Sequence, residues 1–128
     1  MPTAIVIDDD KDTVSVFSEF LHLKGIEVIG CGYDGMEAVD LYSRLNPDII
    51  FLDVMMDNYD GFYALEKIRE IKQDAVVVMV TADLNKDTDI KLNKLNASAI
   101  IYKPFEIDQI IQVVHKLVHL KIGELRCS

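Results

Sequence analysis

The chain has 128 residues, half of them hydrophobic, and carries 13 Lys and Arg against 22 Asp and Glu, a net charge of −9. That length supports one domain with one sizeable core and leaves no room for two. The acidic balance repels phosphate backbones and anionic lipid surfaces, so direct nucleic-acid or membrane binding is excluded on charge and a soluble chain is expected. No apolar run approaches the roughly 18 residues of a membrane span, and no basic stretch with an apolar run marks a secretory signal. The cytoplasm is the expected location. Cys31, in an apolar stretch, and Cys127, near the end, make neither a disulfide framework nor a paired metal motif. Cys31 is expected to be a buried thiol that packs as a small hydrophobe.

Short apolar runs alternate with amphipathic segments along the chain, without repeats or low-complexity linkers. Ala4-Ile5-Val6-Ile7 is β-branched and too short for a helix, which predicts a strand. Val14, Phe17 and Leu21 then recur at helical spacing until Gly25 stops them. Glu27-Val28-Ile29 is a second strand. A helix starting near Asp34 aligns Ala38, Leu41, Tyr42 and Leu45 and ends at Asn46-Pro47. Asp48 to Leu52 is the third strand, and a loop through Gly61 leads into a helix bearing Ala64, Leu65, Ile68 and Ile71. Ala75 to Val80 is the fourth strand, and its lack of polar alternation implies burial on both faces. From Leu84 to Asn96 the helical signal is weakest, because Ile90, Leu92 and Leu95 do not share one face. Ala99 to Tyr102 is the fifth strand. The last helix carries a stripe of Ile107, Ile110, Ile111, Val114, Leu117 and Val118. Residues 1–121 are read as the domain and 122–128 as a C-terminal tail, with no output domain after it. Strands alternating with helices in this way predict an α/β fold, a doubly wound parallel sheet covered on both faces, with its crevice outside the carboxyl ends of the strands.

Polar residues that directly follow apolar strands therefore converge on one edge. Asp8 and Asp9 follow the first strand, Asp53 the third, Thr81 the fourth and Lys103 the fifth. Three carboxylates and one ammonium leave an excess of negative charge, and such neighbours raise one another's pKa unless a cation intervenes. Hard oxygen ligands with room for water suit Mg²⁺ better than Zn²⁺, which prefers His and Cys. Beside such a cation, Lys103 and a hydroxyl, Asp53 is placed to take a phosphoryl group as an aspartyl phosphate. Asp10 and Asp12 are read as residues that start the first helix.

The motifs IVIDDD at residues 5 to 10, IIFLDVMM at 49 to 56, DGFYALEKIR at 60 to 69, VTAD at 80 to 83 and YKPF at 102 to 105 resemble those of the receiver domain of two-component response regulators. The resemblance covers nearly the whole chain and includes the free-standing chemotaxis-regulator type. It implies a flavodoxin-like sheet of order 2-1-3-4-5 with five helices. It also implies phosphoryl transfer onto Asp53 from a phosphohistidine of a sensor histidine kinase or phosphotransfer protein. By the same likeness Asp9, Asp53 and the backbone carbonyl of Met55 would ligate Mg²⁺, Asp8 would act largely through water, and Thr81 and Lys103 would hold the phosphoryl oxygens. The Lys103-Pro104 peptide would be cis. Small Ala82 would leave access to the site. Output would pass from the fourth helix, fifth strand and fifth helix to a downstream protein target.

Two positions depart from the family pattern. Three residues before Lys103 the family usually carries Tyr or Phe, where this chain has Ile100, and Tyr102 is expected on the opposite face of the sheet. Asp57 stands where the family often has Pro, so the loop after Asp53 is expected to lose rigidity and to gain a charge near the metal. Met55 and Asp83 stand where the family tunes hydrolysis of the acyl phosphate, and Met55 is expected to shield the phosphoryl group.

Other chemistries fit less well. Asp8, Asp10, Asp12 and Glu19 match the spacing of a calcium-binding loop, but Thr13 stands where that loop needs Gly. Asp10-Lys11-Asp12-Thr13-Val14 reads as the motif of haloacid-dehalogenase-type phosphatases, yet Asp10 lies beyond the strand end. A receiver-shaped interaction module that works without phosphorylation is the remaining alternative, and an enzyme with turnover is not expected. His115 and His119 are read as an exposed pair, Lys72, Lys86, Lys91 and Lys94 as a solvated rim, and Met36 and Met79 as core filler.

Overall fold

The five apolar runs form β1 (Thr3–Ile7), β2 (Glu27–Gly32), β3 (Ile49–Asp53), β4 (Val77–Thr81) and β5 (Ala99–Tyr102), joined in one sheet of order β2-β1-β3-β4-β5. All four pairings are parallel. Parallel neighbours require crossovers, which are supplied by α1 (Lys11–Leu23), α2 (Gly35–Leu45), α3 (Gly61–Ile71) and α4 (Lys86–Lys94), and α5 (Ile107–Cys127) follows the last strand. This is the doubly wound fold that the alternation predicts. The computed structural model describes residues 2–127, and side chains through Val118.

The sheet separates two apolar layers, because successive strand residues face opposite sides. On one side Val6, Phe51, Val78 and Ile101 pack against Val14, Phe17 and Leu21 of α1 and Ile110, Val114 and Val118 of α5. On the other, Ile5, Ile7, Ile50, Leu52 and Met79 pack against α2, α3 and Leu92 of α4. The three central strands are almost wholly buried, whereas β2 and β5 form the edges. Each helix from α1 to α4 begins on a side-chain cap: Asp10, Asp34, Asp60 and Asn85 accept hydrogen bonds from backbone N–H groups in the first turn. These caps satisfy donors that a helix start otherwise leaves open.

Several expectations need correction. Strand β2 runs on through Gly30, Cys31 and Gly32, which pair with Ile5, Val6 and Ile7, so pairing overrides the poor strand propensity of glycine. Cys31 is exposed on this edge strand rather than buried, with its sulfur 3.5 Å from Ser18 Oγ. Met36 lies on the solvent side of the first turn of α2 and is exposed, while Met79 is fully buried. Ile71, at the end of α3, is also exposed. Lys91 is not merely rim: its ammonium sits 4.2 Å from the centre of the Phe62 ring, tying α4 to α3. The backbone of α5 continues to Cys127, past the boundary placed at residue 121. His115 is exposed, and the side chains of His119 and Cys127 lie outside the described residues.

Candidate functional site

The carboxyl ends of β1, β3, β4 and β5 bring the five polar residues read from the sequence to one edge. Asp53 is the last residue of β3, Thr81 the last of β4, and both are buried. Asp8 directly follows β1 and is also buried, while Asp9 is exposed. Lys103 follows β5, and its backbone N–H donates to the Thr81 carbonyl at 2.8 Å, which locks the two strand ends together. Carboxylate oxygens of Asp8, Asp9 and Asp53 all lie within 4.8 Å of one another, close enough to share one cation.

Lys103 enters from the side. Its ammonium is 2.8 Å from Asp8 Oδ2 and 3.7 Å from Asp53 Oδ1. The other oxygen of Asp8 accepts the Asp10 N–H at 3.0 Å, so both of its oxygens are engaged. Asp9 and Asp53 retain the freer oxygens. Burial, reinforced by the charge of Asp8, pushes the Asp53 carboxyl up to about 6 despite the attraction of Lys103. Burial also raises Asp9, with Asp8 and then Asp57 adding to the effect. Lys103 is pulled down by burial, but its contacts with Asp8 and Asp53 outweigh this and hold it above its ordinary value. The crevice thus carries more negative charge than one ammonium balances, and a hard divalent cation is the group that fits this donor set.

Close backbone packing fixes Asp53. A Cβ at Gly61 would fall 2.3 Å from the Asp53 carbonyl oxygen and 2.7 Å from Val54 Cα, so only glycine lets α3 start against the end of β3. The Gly61 N–H donates to the Val54 carbonyl at 2.9 Å. Gly35, at the start of α2, donates to the Tyr59 carbonyl at 2.6 Å and holds the far side of the same loop. These backbone contacts pin the loop at Val54 and at Tyr59, on either side of Asp57. Met55 is exposed beside Asp53, and Ala82 is exposed beside Thr81. The Lys103-Pro104 peptide is cis.

Asp10 is committed elsewhere. Its two oxygens accept from the Asp12 N–H and the Thr13 hydroxyl as the cap of α1, which leaves it outside the crevice. Asp12 and Glu19 lie within α1, so the calcium-loop spacing does not form a loop. Tyr102 overturns an expectation. Residues two apart on a strand share a face, so Tyr102 lies on the side of Ile100, and its hydroxyl donates to Asp89 Oδ1 of α4 at 2.6 Å. The period-two rule by itself gives that placement, whereas nothing in the sequence pattern points to Asp89 as the partner.

Fold and crevice together define a doubly wound α/β domain whose acidic pocket is faced by a lysine, with a threonine at the neighbouring strand end. The chain belongs to the response regulator receiver domain family, whose profile matches residues 4–115. It is 27% identical over 115 residues to the chemotaxis protein CheY of Bacillus subtilis, covering 90% of this chain and 96% of that one. It is 26% identical over 117 residues to the regulatory protein AtoC of Escherichia coli, covering 91% of this chain but only 25% of AtoC. The crystal structure of the CheX-CheY-BeF3-Mg complex from Borrelia burgdorferi superimposes with a TM-score of 0.84 at 28% identity, covering 89% of this chain and 87% of that one. Receiver domains of two-component systems are generally signalling modules rather than turnover enzymes, bind Mg²⁺ in an acidic pocket, and work with kinases and downstream targets. Among the described residues no helix is long and apolar enough to cross a membrane.

Proposed function

We propose that Asp53 accepts a phosphoryl group from the phosphohistidine of a histidine kinase or phosphotransfer protein. The approach of three carboxylates to within 4.8 Å of one another, faced by Lys103, carries this reading. An Asp53 oxygen attacks phosphorus in line as the nitrogen–phosphorus bond breaks, and the imidazole leaves with the bonding pair. Asp8, Asp9, Asp53 and the backbone carbonyl of Met55 would hold Mg²⁺, which supplies the positive charge that the transferring phosphoryl oxygens need. Asp8, with both oxygens engaged by protein donors, would act on the ion through water.

Lys103 then leaves its contact with Asp8 to pair with one phosphoryl oxygen, and the Thr81 hydroxyl donates to another. Both residues already stand at adjacent strand ends, so this costs little rearrangement. Water later attacks the phosphorus of the acyl phosphate, the bond to the Asp53 oxygen breaks, and inorganic phosphate leaves as the carboxylate returns. The new charge on Asp53 biases the surface of α4, β5 and α5, through which a downstream protein would bind. The Borrelia burgdorferi relative, crystallised with BeF3, Mg²⁺ and CheX, supports this reading, because a beryllofluoride group imitates a phosphoryl group on a carboxylate.

Incubation with Mg²⁺ and a small phosphodonor should add the mass of one phosphoryl group to the intact chain and none to Asp53→Asn. No gain in the native chain, or an equal gain in the variant, overturns the reading and leaves a module that acts without phosphorylation.

A further inference from the structure

Helix α4 is held by little packing. Leu92 is its only buried residue, Ile90 faces solvent, and Leu84 just before the helix is also exposed. Hydrogen bonds from outside the helix therefore do much of the positioning, and two of them end on neighbouring residues. The Thr88 hydroxyl donates to Asp83 Oδ2 at 2.6 Å, and the Asp83 N–H in turn donates to Thr81 Oγ1 at 2.9 Å. The Tyr102 hydroxyl donates to Asp89 Oδ1 at 2.6 Å. Tyr102 is the register partner of Thr81 and precedes Lys103, whose N–H is bonded to the Thr81 carbonyl. One tether thus runs from the Thr81 hydroxyl to the helix, and the other from the strand end that carries Lys103.

We propose that the Tyr102–Asp89 hydrogen bond couples the state of the Asp53 site to the position of α4. Ile100, which lies on the same face of β5, has no hydroxyl to serve this purpose. The inference rests on the phosphoacceptor reading above. When Thr81 turns its hydroxyl toward a phosphoryl oxygen, the acceptor geometry seen by the Asp83 N–H changes, and the tether through Thr88 slackens. The tether through Tyr102 stays, because its acceptor is a carboxylate one residue further along the helix and its donor sits on the strand. A helix released at one point and held at the next moves as a unit, carrying Ile90 with it. Without the Tyr102 hydroxyl the resting helix keeps only the tether through Thr88, and once that slackens neither tether holds it.

Hydrogen exchange over residues 86–94, measured with and without Mg²⁺ and beryllofluoride, reads this directly. In the native chain, exchange across the helix should differ between the two states. In Tyr102→Phe the resting helix should exchange about tenfold faster or more, as expected for one lost charge-assisted hydrogen bond, and the difference between the states should widen, because no tether remains once the one through Thr88 slackens. Asp89→Ala should reproduce this, whereas Asp89→Asn, which keeps a carbonyl acceptor, should restore the native difference. Tyr102→Phe should still gain one phosphoryl mass from a small phosphodonor, because Asp53, Thr81 and Lys103 are untouched. If Tyr102→Phe gains that mass and keeps the native difference in exchange, the coupling is overturned while the phosphoacceptor reading stands. If the native chain gains no mass, both fall.

Discussion

Strand β3 and helix α4 sit at opposite ends of the range of packing in this molecule. Every residue of β3 is buried, Asp53 included, and two strands pair with it. Helix α4 buries one side chain and leans on hydrogen bonds to loops and to β5. The difference fits what each would do in the proposed function. A nucleophile at Asp53 would have to meet phosphorus at a fixed distance and angle, which suits the stiffest element available. A surface that answered to a change of charge would have to move for a small free energy, which suits a place where few contacts oppose it.

The largest effect expected at the rigid end comes from Gly61→Ala. The added methyl meets backbone rather than a flexible side chain, so β3 and α3 must separate, at a cost of about 3 kcal/mol. Urea unfolding measures it, and a loss below about 1 kcal/mol means that the end of β3 yields more easily than its burial implies.

Asp53 itself gives a comparable but pH-dependent effect. Its carboxyl in the folded chain lies at about 6, above the roughly 3.9 of an unfolded chain. The folded state therefore binds the proton more tightly. The stability this contributes is complete below pH ~4 and is lost as pH rises through ~6. At pH 7 in the absence of Mg²⁺ the charged carboxylate is a burden of about 3 kcal/mol. Asp53→Asn should accordingly match the native chain near pH 4 and exceed it by about that amount at pH 7, with Mg²⁺ narrowing the gap. Equal stability at pH 7 would mean that Lys103 already balances the charge.

The smallest effect should come from Met55→Asn, because this side chain is 62% exposed and contributes little to packing. Stability should change by less than about 0.5 kcal/mol. The lifetime of the phosphorylated form should nonetheless shorten several-fold, as an amide can orient the water that a thioether excludes. Timing dephosphorylation by intact mass tests this; an unchanged or longer lifetime removes Met55 as the shield.

Much of the fold was legible because its signals are local. Four of the five strands carry apolar or β-branched runs along almost their whole length, and the caps at Asp10 and Asp34 stand where a helix needs an acceptor. The site was legible for a related reason: a polar residue placed straight after a buried parallel strand emerges at the same edge of the sheet as every other such residue. Elements whose form depends on neighbours were harder. Strand β2 reads short in the sequence because Gly30 and Gly32 look like a loop until Ile5 and Ile7 pair with them. Cys31 and Met36 look internal because apolar character says nothing about which edge or which side of a first turn a residue occupies.

Sequence alone determined the alternation of strand and helix, and with it the edge on which Asp8, Asp9, Asp53, Thr81 and Lys103 gather, since a parallel sheet aligns its carboxyl ends whatever the details of packing. Tertiary structure decided which of those groups touch. Lys103 rests on Asp8 more closely than on Asp53, and Tyr102 finds Asp89 across a helix packed on the sheet. Such pairings depend on distances between elements far apart in the chain. Periodicity fixes the face a side chain takes, but only packing fixes what stands opposite it.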